Sequence, residues 1–279
     1  MVYKIVSFDG LSLSGKTTMG KMLKERSLDA EIVRENTYDP HRPATSRLNK
    51  LLKELDPFKA VKKVSKEFQL SKQVLGDSLE YSSIFEGSSR KQAMLAYMFT
   101  AGRKVVDEHV REAVKEHDVI LDRWKMTGMA YQVEPEGYGW QKIQTLNDVT
   151  FGILTPDIQI LLTCPIEQIP IRRAYREKVG VGTAGQMSRG REHVILPAFI
   201  EIYECFESKI PIYLFENVGT PVEDIKGQIR QAIPTFKRIE AVVRENGFRL
   251  KEEEIVSEES FWLDPERLER IYRRQTSKK

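Results

Sequence analysis

A glycine-rich loop near the start of the chain has the residue types and spacing of a phosphate-binding site. Within the stretch FDGLSLSGKTT at 8–18, Gly10, Gly15, Lys16 and Thr17 fit the pattern G-x-x-x-x-G-K-[ST]. Backbone N–H groups that face inward make a concave anion site, and a helix that follows adds its positive end. Lys16 can reach the β- and γ-phosphates of a nucleotide, and the Thr17 hydroxyl can ligate the Mg²⁺ that bridges them. The predicted phosphate-binding residues are Gly10, Leu11, Ser12, Leu13, Ser14, Gly15, Lys16, Thr17 and Thr18.

A carboxylate follows a buried strand in the middle of the chain. The run DVIL at 118–121 is apolar and β-branched, and it ends in Asp122, Arg123 and Trp124. The carboxyl end of a parallel strand is where ligands bind in open α/β sheets. Beside a phosphate loop, this is the position of an Asp that helps to hold a metal ion. We therefore expect Thr17 and Asp122 to be the Mg²⁺ ligands.

Arginines are concentrated in a glycine-containing stretch farther along the chain. Glycines at 180, 182 and 185 interrupt the helical periodicity there. Arginines on such a hinged segment can bring positive charge onto a transferring phosphoryl group, so we predict a lid over residues 172–192. The alternative is an ordinary charged helix exposed to solvent. The cations between 172 and 191 are Arg172, Arg173, Arg176, Lys178, Arg189 and Arg191, against Glu177 alone.

These residues need a scaffold, and the apolar pattern predicts strands that alternate with helices. Such an order forms βαβ units, so the predicted fold class is α/β, with an open, about five-stranded parallel sheet and helices on both faces. The predicted domain covers 1–234, with an extended helical insertion at 47–90, and an extension follows at 235–279. Apolar, β-branched runs predict strands at 3–8, 31–33, 118–121, 157–163 and 210–215, and helical periodicity predicts helices at 18–26, 92–114, 126–133, 165–176, 193–208, from 221 onward and from 265.

Composition limits the class of protein and of partner. With 279 residues, of which 41% are apolar and 30% charged, the chain can bury a sizeable core. The net charge of +3 gives no electrostatic argument for a nucleic-acid partner. Cys164 and Cys205 lack metal-site spacing, so we expect two small buried side chains in a reducing compartment. No run approaches the ~20 apolar residues of a membrane helix. A cytoplasmic protein without a membrane partner is the expectation.

Four stretches, in order, resemble the motifs of the thymidylate kinase family among the nucleoside monophosphate kinases. FDGLSLSGKTT resembles the family's phosphate loop, and YMFTAGRKV at 97–105 resembles the helix that contacts the acceptor base. LDRWKMTGMAYQ at 121–132 resembles the D-R-[YH] motif with its following Ser or Thr and A-[YF]-Q element. TPDIQILLTCPIEQ at 155–168 resembles the strand before the lid. The resemblance spans roughly residues 2–229.

The resemblance implies transfer of the γ-phosphoryl group of ATP to a nucleoside monophosphate, most simply dTMP, with Mg²⁺. Phe99 then stacks on the acceptor base, Arg103 bonds its carbonyl edge, and Arg34 and Arg123 clamp its phosphate. Family members pair through helices beside the base-binding helix, so a homodimer is implied. The implied acceptor-binding residues are Asp9, Arg34, Phe99, Arg103, Arg123, Thr127, Tyr131 and Gln132, and the implied catalytic residues are Lys16, Asp122, Arg123, Arg172, Arg176 and Arg189.

Departures from the family pattern fall around the acceptor. Ser12 stands where members usually carry an Asp that bonds the sugar hydroxyl, and Leu13 where some carry an arginine. Asn36 and Thr37 replace the usual Pro-Gly after the second strand. We therefore expect looser sugar discrimination, with dUMP or UMP also accepted.

Two alternatives stay open: a kinase for another nucleotide, nucleoside or small molecule, and a nucleotide-binding switch without turnover. No Asn-Lys-x-Asp guanine-reading motif is present, and Asp122-Arg123 stands where a motor ATPase usually has Asp-Glu. Both observations favour the kinase.

Overall fold

The computed structural model describes residues 2–34, 90–132, 139–178, 190–218 and 225–252. Five strands form one sheet in the order β2-β3-β1-β4-β5, and every neighbouring pair is parallel. This confirms the predicted α/β class with its parallel sheet. The strands are β1 (Ile5–Gly10), β2 (Ala30–Arg34), β3 (Asp118–Asp122), β4 (Ile158–Thr163) and β5 (Ile212–Glu216); the helices are α1 (Lys16–Arg26), α2 (Arg90–Ala113), α3 (Lys125–Tyr131), α4 (Trp140–Thr145), α5 (Gln168–Lys178), α6 (Glu192–Phe206) and α7 (Ile225–Glu245).

Helices cover both faces of the sheet because the central strands are apolar on both sides. Alternate residues point to opposite faces of a strand, so Ile5 of β1 belongs to one apolar layer and Val6 to the other. The first layer packs against α2, α3, α4 and α6, and the second against α1 and α7. Every residue of β1 and β4 is buried. This is the burial expected of central strands in a parallel sheet.

The last described helix extends beyond the position that the sequence suggested as a boundary. α7 continues through Pro234 to Glu245. Phe236, Ile239 and Val243 on this helix are fully buried against the sheet. Burying three such side chains contributes roughly 5–9 kcal/mol, which exceeds the cost of about 3 kcal/mol for a proline inside a helix. Residues 235–252 therefore share their core with the sheet, and the predicted boundary falls inside a helix.

The segment after α3 contains structure that the sequence did not indicate. α4 runs directly into a π-helical turn at Leu146–Thr150. Trp140, Ile143 and Leu146 are buried in the first apolar layer, so tertiary packing holds this short element in place.

The two cysteines differ in their surroundings. Cys164 is buried, as predicted, but Cys205 is exposed, so the expectation of two buried cysteines is wrong for Cys205. Cys205 lies on a face of α6 that points away from the core, which helical periodicity alone did not reveal.

Several predicted segments lie outside the described residues. They are residues 47–89 of the insertion, 179–189 of the lid, which include Arg189, and 253–279 with the helix predicted from 265. Within the part of the chain that the structure describes, no helix has the length and apolar character needed to cross a membrane.

Candidate active site

The candidate site lies at the carboxyl edge of the sheet, where β1, β2 and β3 end. β1 is the middle strand, and its register with β3 and β4 brings Phe8 beside Asp122 and Gly10 beside Leu162. β2 ends one strand farther out, with Arg34 opposite Asp122. The sheet order thus collects the phosphate loop, the carboxylate and one predicted acceptor-binding arginine at one edge, as expected for ligand sites in open α/β sheets.

The loop between β1 and α1 has a backbone that requires its glycines. Gly10 has φ +128° and Gly15 has φ +98°, values that side chains disfavour. A Cβ on Gly10 would lie 1.9 Å from the Leu162 carbonyl oxygen, and one on Gly15 would lie 2.7 Å from Asn217 Nδ2. Leu13 also adopts a left-handed conformation, with φ +67°. The loop is therefore pressed against β4 and the end of β5, and α1 begins directly after it at Lys16.

The side chain of Lys16, the first residue of α1, reaches back into the loop, and Lys16 is almost completely buried. Its Nζ donates to the carbonyl oxygen of Gly10 at 3.0 Å, to the carbonyl oxygen of Leu11, and to Ser14 Oγ at 3.2 Å. Burial, reinforced by the charge of Arg123, lowers the pKa of Lys16 well below its usual value. An ammonium group with few water contacts attracts a nearby anion more strongly than one in bulk water does.

A hydroxyl and a carboxylate that fit a Mg²⁺ ion lie side by side next to the loop. Thr17 Oγ1 donates to Asp122 Oδ2 at 2.8 Å, and Arg34 Nε lies 3.7 Å from the same Oδ2. Among the described residues, no group of three or more His, Cys, Asp or Glu side chains could hold a metal ion. One carboxylate and one hydroxyl nevertheless suit Mg²⁺, which keeps several waters and uses substrate phosphates as ligands. The expected pair of metal ligands is thus brought together.

Asp9, a predicted acceptor-binding residue, connects β1 to the turn after β3. Its Oδ1 accepts from Trp124 N at 2.8 Å, Thr127 N at 2.9 Å and Thr127 Oγ1 at 2.6 Å. Asp9 is fully buried, and no described residue bonds its Oδ2. These contacts give Thr127 of the LDRWKMTGMAYQ motif a structural role. Its hydroxyl and its backbone N–H both hold the start of α3 on β1, the strand before the phosphate loop.

Arg123 and Tyr131 lie together at the mouth of the site. Arg123 has a φ of +76°, a strained conformation of the kind found at functional sites. Its guanidinium carbon lies 5.7 Å from the centre of the Tyr131 ring. The Tyr131 hydroxyl accepts from Ser12 N at 2.7 Å and lies 2.8 Å from Ser12 Oγ. Tyr131 therefore joins α3 to the phosphate loop at the residue that departs from the family pattern.

The predicted base-binding pair occupies neighbouring turns of α2. Phe99 is half-buried, whereas Arg103 is only 1% exposed. Arg103 Nη1 donates to Asn147 Oδ1 in the π-helical turn at 2.5 Å. A Cβ at Gly128 of α3 would lie 2.3 Å from Arg103 Nη2. Gln132 is half-buried beyond the end of α3, and no described residue bonds its Oε1.

The arginines predicted to form a lid have different surroundings. Arg172 Nη1 donates to the Leu13 carbonyl at 2.9 Å, and its Nη2 donates to the Asn217 carbonyl at 2.7 Å, so it braces the phosphate loop. Burial lowers the pKa of Arg172. Arg173 pairs with Glu192 at 2.6 Å across the two ends of the predicted lid. Arg191 Nη1 makes a long contact of 3.5 Å with the Tyr131 carbonyl. The structure describes the backbone of Arg176 but not its side chain.

Sequence reasoning missed two asparagines of this site. Asn217 Nδ2 donates to the Ser14 carbonyl at 2.9 Å, and its backbone N–H donates to the Thr163 carbonyl. Asn217 directly follows β5, so the strand-end rule that found Asp122 could also have found it. Asn147 had no such signal, because it lies in a turn that the apolar pattern did not predict.

Comparison with family models identifies the family of this chain, and comparison with individual proteins gives the similarities that follow. The thymidylate kinase family model matches residues 45–188, just over half of the chain. A probable thymidylate kinase from Methanococcus vannielii is 26% identical over 175 residues, covering 63% of this chain and 68% of that protein. The thymidylate kinase of Thermoanaerobacter sp. (strain X514) is 26% identical over 176 residues, covering 62% of this chain and 72% of that protein. A solved thymidylate kinase from Candida albicans aligns over 85% of this chain and 93% of its own, with a TM-score of 0.47 and 17% identity.

The matched segment contains α2, β3, α3 and β4, which carry the predicted acceptor-binding motifs. The phosphate loop lies before it and has the geometry described above. The chain therefore belongs to the thymidylate kinase family of nucleoside monophosphate kinases.

Proposed function

We propose that this protein transfers the γ-phosphoryl group of ATP to dTMP at the carboxyl edge of its sheet. The observation that carries the proposal is the contact of Thr17 with Asp122 at 2.8 Å beside the buried Lys16, in a chain of this family. Phosphoryl transfer needs little covalent chemistry from the protein, since catalysis comes from positioning and charge stabilisation. The side chains gathered here are of that kind.

On the donor side, the loop amides and Lys16 hold the β- and γ-phosphates. Lys16 now donates to carbonyls of its own loop, and phosphate oxygens would replace those acceptors with charged ones, which form stronger hydrogen bonds. Thr17 and Asp122 would hold Mg²⁺, which when bound neutralises charge on the β- and γ-oxygens. Arg172 keeps the loop in shape through the Leu13 carbonyl and adds positive charge beside it.

On the acceptor side, Arg34 and Arg123 clamp the phosphate of the nucleotide. Arg34 pairs with Asp122 and is 44% exposed, so it can turn toward an incoming anion. The strained backbone of Arg123 directs its side chain across the Tyr131 ring. Phe99 stacks on the base, and Arg103 donates to its carbonyl edge. We assign Ser12 and the Tyr131 hydroxyl, whose oxygens lie 2.8 Å apart, to the sugar of the nucleotide, and Gln132 follows at the end of α3.

Other parts of the functional hypothesis remain predictions. One is that Arg176 or Arg189 stabilises the transferring phosphoryl group with its positive charge. The homodimer and the cytoplasmic location are two more. In this proposal Asp9 holds α3 through its Oδ1, and its Oδ2 faces the acceptor.

The loop assignment is tested by Lys16→Ala. We expect a loss in kcat of about 10²-fold or more, because the change removes a charge aimed at the transferring group. Lys24→Ala is the matched control, since Lys24 is an exposed lysine on the same helix. A folded Lys16→Ala protein with nearly full activity would refute the role of the loop.

The acceptor is tested by ADP release with ATP, Mg²⁺ and a panel of nucleoside monophosphates, nucleosides and no acceptor. We expect dTMP to be preferred, dUMP or UMP to be turned over, and dCMP to be poor. Turnover of a purine nucleotide or free nucleoside without turnover of dTMP would refute dTMP as the acceptor but would still support a kinase activity. ATP hydrolysis that is indifferent to every acceptor would favour the nucleotide-binding switch.

A further inference from the structure

We infer that Asn147 is a positioning residue that sets the enzyme's selectivity for the acceptor base by fixing the direction of the Arg103 guanidinium. The inference rests on the proposed function, in which Arg103 contacts the base. It assigns a role to the π-helical turn, which lies outside the motifs of the active site.

The first argument is the orientation of the Asn147 amide. Asn147 is fully buried. Its Nδ2 donates to the Ile143 carbonyl at 2.6 Å, which leaves Oδ1 as the acceptor for Arg103 Nη1. An amide has distinct donor and acceptor ends. Because the donor end is already held by the helix backbone, the acceptor end is fixed toward Arg103.

The second argument is the contact on another side of the same guanidinium. Gly128 of α3 approaches so closely that a Cβ there would lie 2.3 Å from Nη2 and 3.0 Å from Cζ of Arg103. The guanidinium is thus confined by the π-helical turn and by the backbone of α3. A free arginine side chain carries about 2 kcal/mol of rotamer entropy. Confinement in the folded protein removes that cost from the binding of a base.

The third argument is that the segment directly after the π-helical turn is fastened to α2, the helix that carries Arg103. Asp107 Oδ1 accepts from Leu154 N at 2.8 Å, and Arg111 Nη2 donates to the Gly152 carbonyl at 2.9 Å. Asp107 is fully buried. The segment that follows the turn therefore cannot shift without breaking contacts to α2. Single π-helical turns in α-helical segments are frequent at functional sites.

The chemical consequence concerns the edge of the pyrimidine. A guanidinium donates only, so it bonds the O4 carbonyl of thymine or uracil but not the amino group of cytosine. This discrimination depends on donors that cannot swing away from the wrong base. Without Asn147, Arg103 keeps its charge but loses the contact that fixes the direction of Nη1.

The experiment measures kcat/KM for dTMP and for dCMP in three variants. We expect Asn147→Ala to reduce the ratio of these two values about tenfold, the effect of one hydrogen bond to a charged group. The KM for ATP should stay unchanged. Thr145→Ala is the control, because its hydroxyl bonds only the Gln141 carbonyl on the same helix among the described residues.

Asn147→Asp separates positioning from stability. It keeps an acceptor for Arg103 but loses the donor to the Ile143 carbonyl, so we expect a lower melting temperature with selectivity within about twofold of the wild type. Preserved selectivity in Asn147→Asp together with its loss in Asn147→Ala supports the inference.

Other outcomes overturn it. Wild-type selectivity in Asn147→Ala refutes it, as does an equal loss of selectivity in the Thr145→Ala control. If Asn147→Ala does not fold, Gly128→Ala decides, since it displaces the guanidinium from the α3 side and should lower the same ratio. A wild-type enzyme that does not phosphorylate dTMP would instead refute the proposed function. If the wild type and all variants prefer dTMP over dCMP equally, this inference is refuted and the proposed function stands.

Discussion

Removing the Asp9 carboxylate should destabilise the protein more than a single buried hydrogen bond would suggest. Its Oδ1 accepts from the backbone of Trp124 and from both the backbone and the hydroxyl of Thr127. Asp9→Ala leaves the two backbone N–H groups without this acceptor in the interior, at about 1–3 kcal/mol each. The expected loss is about 2–6 kcal/mol from a typical stability of about 5–15 kcal/mol. Asp9→Asn keeps an acceptor oxygen without the charge, so about half of that loss is expected.

Urea unfolding of the wild type, Asp9→Ala and Asp9→Asn measures these differences at constant m-value. Asp29→Asn is a matched control, since Asp29 is an exposed carboxylate on the turn before β2. The KM for dTMP should rise in both Asp9 variants, because Thr127 and the start of α3 lose their anchor. A loss below about 1 kcal/mol in Asp9→Ala would show that Asp9 does not hold α3 on β1.

Three further predictions use groups away from the acceptor. Cys205 is exposed, whereas burial raises the pKa of the Cys164 thiol. One thiol per folded chain should therefore react with a disulfide reagent, and two should react in urea. Rapid reaction of two thiols in the folded protein would contradict the buried position of Cys164. Because burial and the charge of Arg123 lower the pKa of Lys16, Lys16 should become neutral at a lower pH than an exposed lysine does. As pH rises, kcat/KM for ATP should therefore decline earlier than an ordinary lysine would allow, and Lys16→Arg should remove that decline. Arg249→Met should reduce the free energy of unfolding in urea by about 2 kcal/mol, since it removes a partner 3.1 Å from the buried Asp118; kcat should not change, because Asp118 begins β3, at the edge opposite the site.

Much of the site could be predicted because its chemistry is local in the sequence. The loop from Gly10 to Thr17 needs its residue types at fixed spacing, since adjacent amides must face one anion. Asp122 could be found for a related reason, because a polar residue at the end of an apolar strand must reach the edge of a parallel sheet. Together these rules predicted that Thr17 and Asp122 would meet, although 105 positions separate them.

Other expectations failed where burial competes with local signals. The predicted domain boundary after residue 234 falls inside α7, because the apolar face of this helix continues on both sides of Pro234 and is buried against the sheet. Cys205 lies in an apolar stretch, yet its face of α6 is exposed. In each case the deciding quantity is which face meets the core, and periodicity does not determine that where apolar residues are frequent.

The sequence by itself therefore determined the parallel α/β sheet, the phosphate loop and the carboxylate that it meets. Only the tertiary structure decided what holds the functional side chains in place: Asn217 against the Ser14 carbonyl, Arg172 against the Leu13 carbonyl, and Asn147 against Arg103. These contacts join a side chain to a backbone carbonyl or to another side chain far along the chain. Their partners have no characteristic type or spacing, since any residue supplies a carbonyl. They exist because packing brings distant elements within hydrogen-bonding distance, which no local pattern of residues encodes.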